Sequence, residues 1–281
     1  MILAVASGKG GTGKTTVAVG LALALSETRP VQLLDADVEA PNAHLFLDVT
    51  WTGERRVVTW RPRIDPEACD LCGLCVEACE FGALARAGEK ILVFDELCHG
   101  CGVCRRVCPR DAITEIEVPL GKVQVGEADG FPFARGVLDV GEATATPVVH
   151  ALKREIDPDR LAILDCPPGT GCPTIASLRG ADAAILVTEP TPFGLHDLKA
   201  AVSVARAVGV PAGVVVNRDG IGDDGVLRWC EEEGIPVLAR IPFDREIAAL
   251  YAEGRNPARE SATFREAVLA ALAGLEREVL A

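Results

Sequence analysis

The chain has 281 residues, 49% of them hydrophobic and 25% charged. This is globular composition with length for one large core or two smaller domains, and it excludes a disordered tail or a mini-protein. Lys and Arg number 28 against 41 Asp and Glu, a formal charge of -13, so a nucleic-acid backbone would have to find a local patch against the global field, which excludes general nucleic-acid binding. The longest apolar run, Met1 to Ala6, falls far short of the roughly 20 residues a membrane span needs, and no basic flank or cleavage site precedes it. The expectation is a cytoplasmic protein with no membrane span.

In chain order, residues 2–6 read as a buried strand. A Gly-rich loop follows, then a helix with Val17, Leu21 and Leu25 on one face, then a second strand at 31–35. This is the opening of a parallel α/β sheet. From Pro62 to about Pro119 the chain turns cysteine-rich, with short turns and no long periodic helix, which marks an inserted module. The stretch from Gly121 to Gly141 alternates Val with Gly and reads as β or loop without a firm placement. Strands at 161–165, 183–188, 213–217 and 237–241, with helical stretches such as 195–208 and 225–233 between them, bring the sheet to at least six strands.

Gly8-Lys9-Gly10-Gly11-Thr12-Gly13-Lys14-Thr15 fits G-x-x-x-x-G-K-[ST] between a strand and a helix, the context that gives such a match meaning. The glycines let backbone N–H groups close around phosphate oxygens at a helix N-terminus. Lys14 is expected to neutralise the β/γ-phosphates and Thr15 to ligate Mg²⁺. Carboxylates at the ends of parallel strands face the ligand crevice: Asp165 suits Mg²⁺ or its water shell, and Asp37 suits orientation of a nucleophilic water. Asp35 has two readings, a structural carboxylate bonding loop N–H groups or a direct metal ligand.

Extended by Thr16, and with its early Lys9, the loop resembles the deviant Walker A of the MinD/ParA/Mrp and nitrogenase iron protein ATPases. Leu33-Leu34-Asp35-Ala36-Asp37 resembles the switch I strand of that family. Leu164-Asp165-Cys166-Pro167-Pro168-Gly169-Thr170-Gly171 resembles the Walker B and switch II of its Mrp-type members, with switch II beginning at Gly169. Val215-Val216-Asn217-Arg218 and Ile241-Pro242-Phe243 resemble its adenine-contacting segments. The resemblance implies an α/β, mostly parallel P-loop NTPase sheet flanked by helices, in two segments at residues 1–61 and 119–281. It also implies ATP and Mg²⁺, slow partner-stimulated hydrolysis with Lys9, Lys14 and Asp37 as catalytic residues, and nucleotide contacts from Asn217, Arg218 and Pro242. Lys9 would reach the partner's nucleotide in a sandwich dimer, formed with a second copy or with a similar ATPase.

The insert, residues 62–118, carries Cys69-x₂-Cys72-x₂-Cys75-x₃-Cys79 and Cys98-x₂-Cys101-x₂-Cys104-x₃-Cys108-Pro109. This is the bacterial two-cluster ferredoxin spacing, in which the fourth cysteine of each run ligates the other cluster. It predicts one [4Fe–4S] cluster on Cys69, Cys72, Cys75 and Cys108 and another on Cys79, Cys98, Cys101 and Cys104. Zinc is the alternative metal, but its sites generally pair distant C-x₂-C knuckles. Glu80 stands where the second run has proline, and His99 reads as a surface polar residue. The insert points to the subgroup of MinD-like ATPases with an inserted ferredoxin domain.

Cys230, after Trp229, reads as a buried small hydrophobe. Cys166 and Cys172 bracket switch II; Cys172 resembles in spacing a cluster ligand of the nitrogenase iron protein, whose other ligand has no counterpart here. Structural thiols, transient metal or cluster ligands at a dimer interface, and redox-active thiols all remain open. The C-terminal segment 263–280 resembles in position the membrane-targeting tail of MinD, but its mixed charges favour core packing. Three functions follow. The first is an ATP-driven dimer switch coupled to electron transfer to a redox partner. The second is a metallocluster assembly or carrier factor acting on a client protein, and the third a positioning ATPase of the MinD/ParA type with structural or sensory clusters.

Overall fold

Residues 1–280 are described by the structure, a computed structural model; Ala281, the last residue of the expected second ATPase segment, lies outside the described residues. The chain opens with β1 (Ile2–Ala6), α1 (Lys14–Leu25) and β2 (Val31–Asp35), then runs into a long strand, β3 (Val49–Ile64). A small region follows, with α2 (Leu74–Glu77), β4 (Leu84–Ala87), β5 (Lys90–Val93) and α3 (Val103–Arg106). The return is β6 (Ile113–Ala128) and β7 (Phe131–Leu138), then α4 (Thr146–Lys153), β8 (Leu161–Asp165), α5 (Cys172–Leu178) and β9 (Ala183–Thr188). α6 (Pro192–Ala207), β10 (Ala212–Asp219), α7 (Gly225–Glu232), β11 (Val237–Pro242), α8 (Arg245–Ala252) and α9 (Ala262–Glu278) complete it.

Among the described residues, nine strands form one sheet in the order β11-β10-β9-β1-β8-β2-β7-β6-β3. It is parallel from β11 to β7; β6 runs antiparallel to both β7 and β3. The parallel strands are buried on both faces, which is why they read as continuous apolar runs rather than alternating ones. Leu3, Val5, Leu33 and Ile163 pack on one face with α1 and α9. Ala4, Leu34, Leu164 and Leu186 pack on the other with α4, α5, α6 and α7. α1 is buried all round because α9 covers the side the sheet does not; Phe264, Val268, Leu272 and Leu275 of α9 are core residues.

The Gly121–Gly141 stretch belongs to the β6–β7 hairpin, and its second neighbour β3 has no clear signature in the sequence. The β6–β7 pairing stops at Gly121↔Leu138, whereas β3 and β6 stay paired out to Ile64↔Ile113. The ribbon therefore projects past the end of β7, at the edge where β2 ends in Asp35 and β8 in Asp165. Residues 65–112 sit at its tip. The boundaries expected at 61/62 and 118/119 fall inside β3 and β6. Pro119 pairs with Val58, beside the register shift that leaves Leu120 without a partner in β3, the kind of irregularity at which proline is tolerated in a sheet. A small core of Cys75, Leu84 and Ile113, flanked by Ile64, Ile91 and Val107, holds the tip together. Among the described residues no helix is long and apolar enough to cross a membrane.

Candidate nucleotide site and cysteine clusters

The loop between β1 and α1 wraps the C-terminal edge of the sheet. Gly10, Gly11, Gly13, Lys14, Thr15 and Thr16 line a cavity of about 270 Å³ together with Asp37, Asn217, Arg218 and Pro242. Gly13 has φ +92°, and a Cβ there would stand 2.3 Å from Asn217 Nδ2, so only glycine lets the asparagine close on the loop. Asn217 Nδ2 donates to the Thr12 carbonyl at 2.7 Å. Gly8 seats against the backbone of Asp197 in α6. Lys9 faces sideways, with Nζ 3.5 Å from Glu189 Oε2, a carboxylate that also pairs with Arg218.

Lys14 Nζ lies 3.2 Å from Asp165 Oδ1, both side chains being almost wholly buried. Burial works against the charge of Lys14, but Asp165 and Asp37 outweigh it and hold the ammonium above its ordinary range. Asp37 is pushed up to about 6, chiefly by burial; Lys14 pulls it down and Asp165 pushes it up. Asp35 is fully buried. Its Oδ1 accepts from the Asp37 N–H and its Oδ2 from the N–H groups of Asn42 and Ala43. Both oxygens thus fasten the segment after β2, which is the structural alternative of the two readings. Burial and Asp165 push Asp35 up to about 8 against those donors. Asp165 Oδ2 is buried with no hydrogen-bond partner among the described residues. With Asp37 and the Thr15 hydroxyl on the cavity wall, this oxygen donor set fits a hard cation such as Mg²⁺.

Sequence reasoning missed the apolar wall opposite the phosphate loop. Phe46 and Tyr251 meet there with ring centroids 5.5 Å apart, beside Phe243 and Ile247, and Asn42 lines the same cavity. Phe243 directly follows the Ile241-Pro242 signal. Phe46 and Tyr251 come from distant segments and carry no motif.

The eight cysteines of the ribbon tip fall into two groups. Cys69, Cys72, Cys75 and Cys108 line one small cavity. Cys79, Cys98, Cys101 and Cys104 line another. Each run thus sends its fourth cysteine to the other run's cavity. The loops begin short helices after Gly73 (φ +84°) and Gly102 (φ +73°). Backbone N–H groups point at sulfur: Ala83 to Cys79 Sγ at 3.3 Å and Gly100 to Cys98 Sγ at 3.5 Å. Burial pushes the Cys75 thiol up and Cys104 up to about 11, so binding of a metal here must release protons. Among the described residues no three His, Cys, Asp or Glu side chains are grouped as ligands of a single metal ion. Four-thiolate sets around a small cavity fit the wider body of an iron–sulfur cluster. His99 stacks on Phe81 at the second cavity, centroids 3.8 Å apart and planes within 8°.

Cys166 and Cys172 stand in opposite surroundings. Cys166 is fully buried beneath the sheet edge and its thiol is pushed up to about 12 by burial, whereas Cys172 is exposed at the start of α5. Cys230 is buried in the core.

A parallel sheet with a strand, Gly-rich loop and helix around a buried lysine and strand-end carboxylates defines a P-loop nucleotide-binding protein. The chain belongs to the CobQ/CobB/MinD/ParA nucleotide-binding domain family, the match spanning residues 3–258, and carries the P-loop ATPase fold of the MinD/ParA type. An uncharacterized protein of Methanocaldococcus jannaschii is 32% identical over 91% of both chains. The iron-sulfur cluster carrier protein of Pyrococcus abyssi is 27% identical over 86% of this chain and 74% of its own; that of Aquifex aeolicus is 28% identical over 88% of this chain and 58% of its own. Among solved structures, the septum site-determining protein MinD of Pyrococcus horikoshii, complexed with Mg-ADP, superposes with a TM-score of 0.57 at 20% identity, covering 100% of this chain and 96% of that one.

Proposed function

We propose that this chain is an ATP-hydrolysing iron–sulfur protein, in which a nucleotide-driven dimer switch is coupled to electron transfer through two [4Fe–4S] clusters in an inserted ferredoxin domain. The observation that carries the reading is the crossed grouping of the eight cysteines in two cavities, at the tip of a ribbon that leaves the sheet on its nucleotide edge. When bound, the clusters supply one-electron carriers. The chain's own residues do the rest. N–H groups of the loop from Gly10 to Thr15 cradle the phosphates, and Lys14 neutralises them. Thr15 and Asp165 hold Mg²⁺, and Asp37 orients the attacking water and takes its proton. Lys9, held by Glu189 in the single chain, is free to turn to a partner's nucleotide when two copies close.

A second reading, metallocluster assembly or carriage, is favoured by relatives named as iron-sulfur cluster carrier proteins and by the exposed Cys172. An anaerobic redox titration followed by EPR, with and without Mg-ATP and with iron counted on the same sample, separates the two. A nucleotide-dependent potential that becomes unresponsive in Lys14→Ala supports gated electron transfer. Potentials indifferent to nucleotide sink it. Iron above the eight of two clusters, lost in Cys172→Ala and delivered to an apo-acceptor, supports carriage.

A further inference from the structure

Arg61, in β3, is only 4% exposed. A guanidinium so buried is tolerated only when it is paired and hydrogen-bonded, and its two partners come from different parts of the molecule. Nη1 donates to the Cys98 carbonyl at 3.2 Å, and Nη2 pairs with the carboxylate of Glu142. Cys98 opens the second cysteine loop; Glu142 lies in the segment between β7 and α4. That segment follows Leu138, the last residue of β7, whose N–H donates to the Val38 carbonyl at 2.8 Å, one residue beyond Asp37, and Asp139 N–H donates to the Leu120 carbonyl at 3.0 Å. The same loop rests directly on β3, since a Cβ at Gly100 would stand 2.5 Å from Thr59 Oγ1. The first loop is different: among the described residues, the hydrogen bonds of residues 69–75 stay within 65–112.

We propose that Arg61 is a positioning residue that ties the second cysteine loop to the backbone beside Asp37, so that nucleotide occupancy changes the potential of the cluster on Cys79, Cys98, Cys101 and Cys104 and leaves the other unmoved. This rests on the gated reading above. The step affected is the uptake of one electron by that cluster from an external low-potential donor and its loss to an acceptor protein; Arg61 changes neither charge nor bonding in it. Its part in the response to nucleotide is through place, and its charge bears only on the resting potential. A shift of the Asp37 segment is passed along two hydrogen bonds and a half-buried ion pair to the Cys98 carbonyl, and cluster potential responds to nearby charge and hydrogen bonds.

The test is an anaerobic EPR-monitored redox titration of the full chain reconstituted with iron and sulfide, with and without a non-hydrolysable ATP analogue. Iron and analogue affinity are measured on each sample, and Cys101→Ser identifies the second cluster's signal. Wild type is expected to shift one midpoint, that of the second cluster. Glu142→Gln is expected to keep its iron and its analogue affinity and lose the shift. Arg61→Ala is expected to lose the shift and lower the resting potential of that cluster, because a positive charge favouring the reduced form is gone. Arg61→Lys restores the charge and hence the resting potential, but not the two-armed reach and hence not the shift. If Arg61→Ala fails to take up iron, Glu142→Gln decides. A wild-type shift that persists in Glu142→Gln and Arg61→Ala, or that moves both clusters equally, overturns the role of Arg61 and leaves gating standing. No wild-type shift in either cluster overturns gating and this inference together.

Discussion

Asp37→Asn is expected to make the nucleotide-free protein more stable while disabling it. In the folded chain Asp37 titrates near 6 instead of 3.8, so between these values the native state binds more protons than the unfolded one. Stability is then fully present below about pH 3.8 and is lost as pH rises through about 6. At 1.36 kcal/mol for each pH unit of displacement, carrying this carboxylate in its ionised form costs about 3 kcal/mol at pH 7 and about 1 kcal/mol at pH 4.5. The pull of Lys14 is already contained in that difference, and Lys14 keeps Asp165 as its partner. The Asp37 charge is also among the causes that push Asp35 up, so Asp37→Asn relieves Asp35 in the same direction. Urea unfolding of both proteins under anaerobic conditions across this pH range measures the gap by linear extrapolation. Asp37→Asn should lead by up to about 3 kcal/mol at pH 7, the lead shrinking towards pH 4.5, while hydrolysis falls roughly 10²- to 10⁴-fold. A variant no more stable than wild type at pH 7, or a gap that does not change with pH, would refute the strained carboxylate.

The same carboxylate, if it is the base proposed above, is expected to set the acid limb of hydrolysis: kcat/KM for ATP should fall as pH drops through about 6, because this ratio reports the free protein. A limb centred below pH 5 would assign the base elsewhere. Lys14→Ala leaves Asp165, fully buried and with Oδ2 already unpartnered, without its cation, and should cost about 3–5 kcal/mol. It should also abolish the thermal stabilisation by Mg-ATP; a loss under 1 kcal/mol would argue against a stabilising Lys14–Asp165 pair. Phe264→Ala removes a ring that is 1% exposed and packed against Gly20 of α1. Calorimetry should find about 3–5 kcal/mol lost, and a negligible change would mean that α9 does not carry the core.

Legibility in the sequence followed locality. The strands 2–6, 161–165 and 183–188 announce themselves because each buries both faces within five or six residues. The phosphate loop and cysteine runs are legible for the same reason: their chemistry needs ligands a few residues apart. β3 was hidden because its partner, β6, lies across the insert and much of the strand is exposed, so Thr, Arg and Trp alternate there without a steady apolar face. Phe46 against Tyr251, and Arg61 against Glu142, are pairings that only the folded sheet brings about. Cys166 and Cys172 look equivalent in the sequence, each next to proline. One continues the sheet edge into the core and the other starts a helix in solvent.

The mode of attachment decides what the ribbon tip can sense. A module hung on a single flexible linker samples many orientations, and changes at the phosphate loop would be averaged out before reaching it. Here the attachment is two 16-residue strands paired over nearly their whole length, with β7 fixing the inner half and β2, which ends in Asp35, fixing β7. The lateral order β8-β2-β7-β6-β3 therefore runs from the strand that ends in Asp165 to the strand that carries Arg61 without leaving one hydrogen-bonded sheet. Such a sheet is stiff along its ladders, so it fixes where the cysteines sit but transmits little motion itself. The segments between strands at its edge are not locked into such ladders, and the stretch from Leu138 to Glu142 bonds both Val38 and Arg61. Under the proposed function the two are complementary: the rigid ribbon keeps the clusters in register with the nucleotide, and the segment from Leu138 to Glu142 gives the nucleotide a way to reach them.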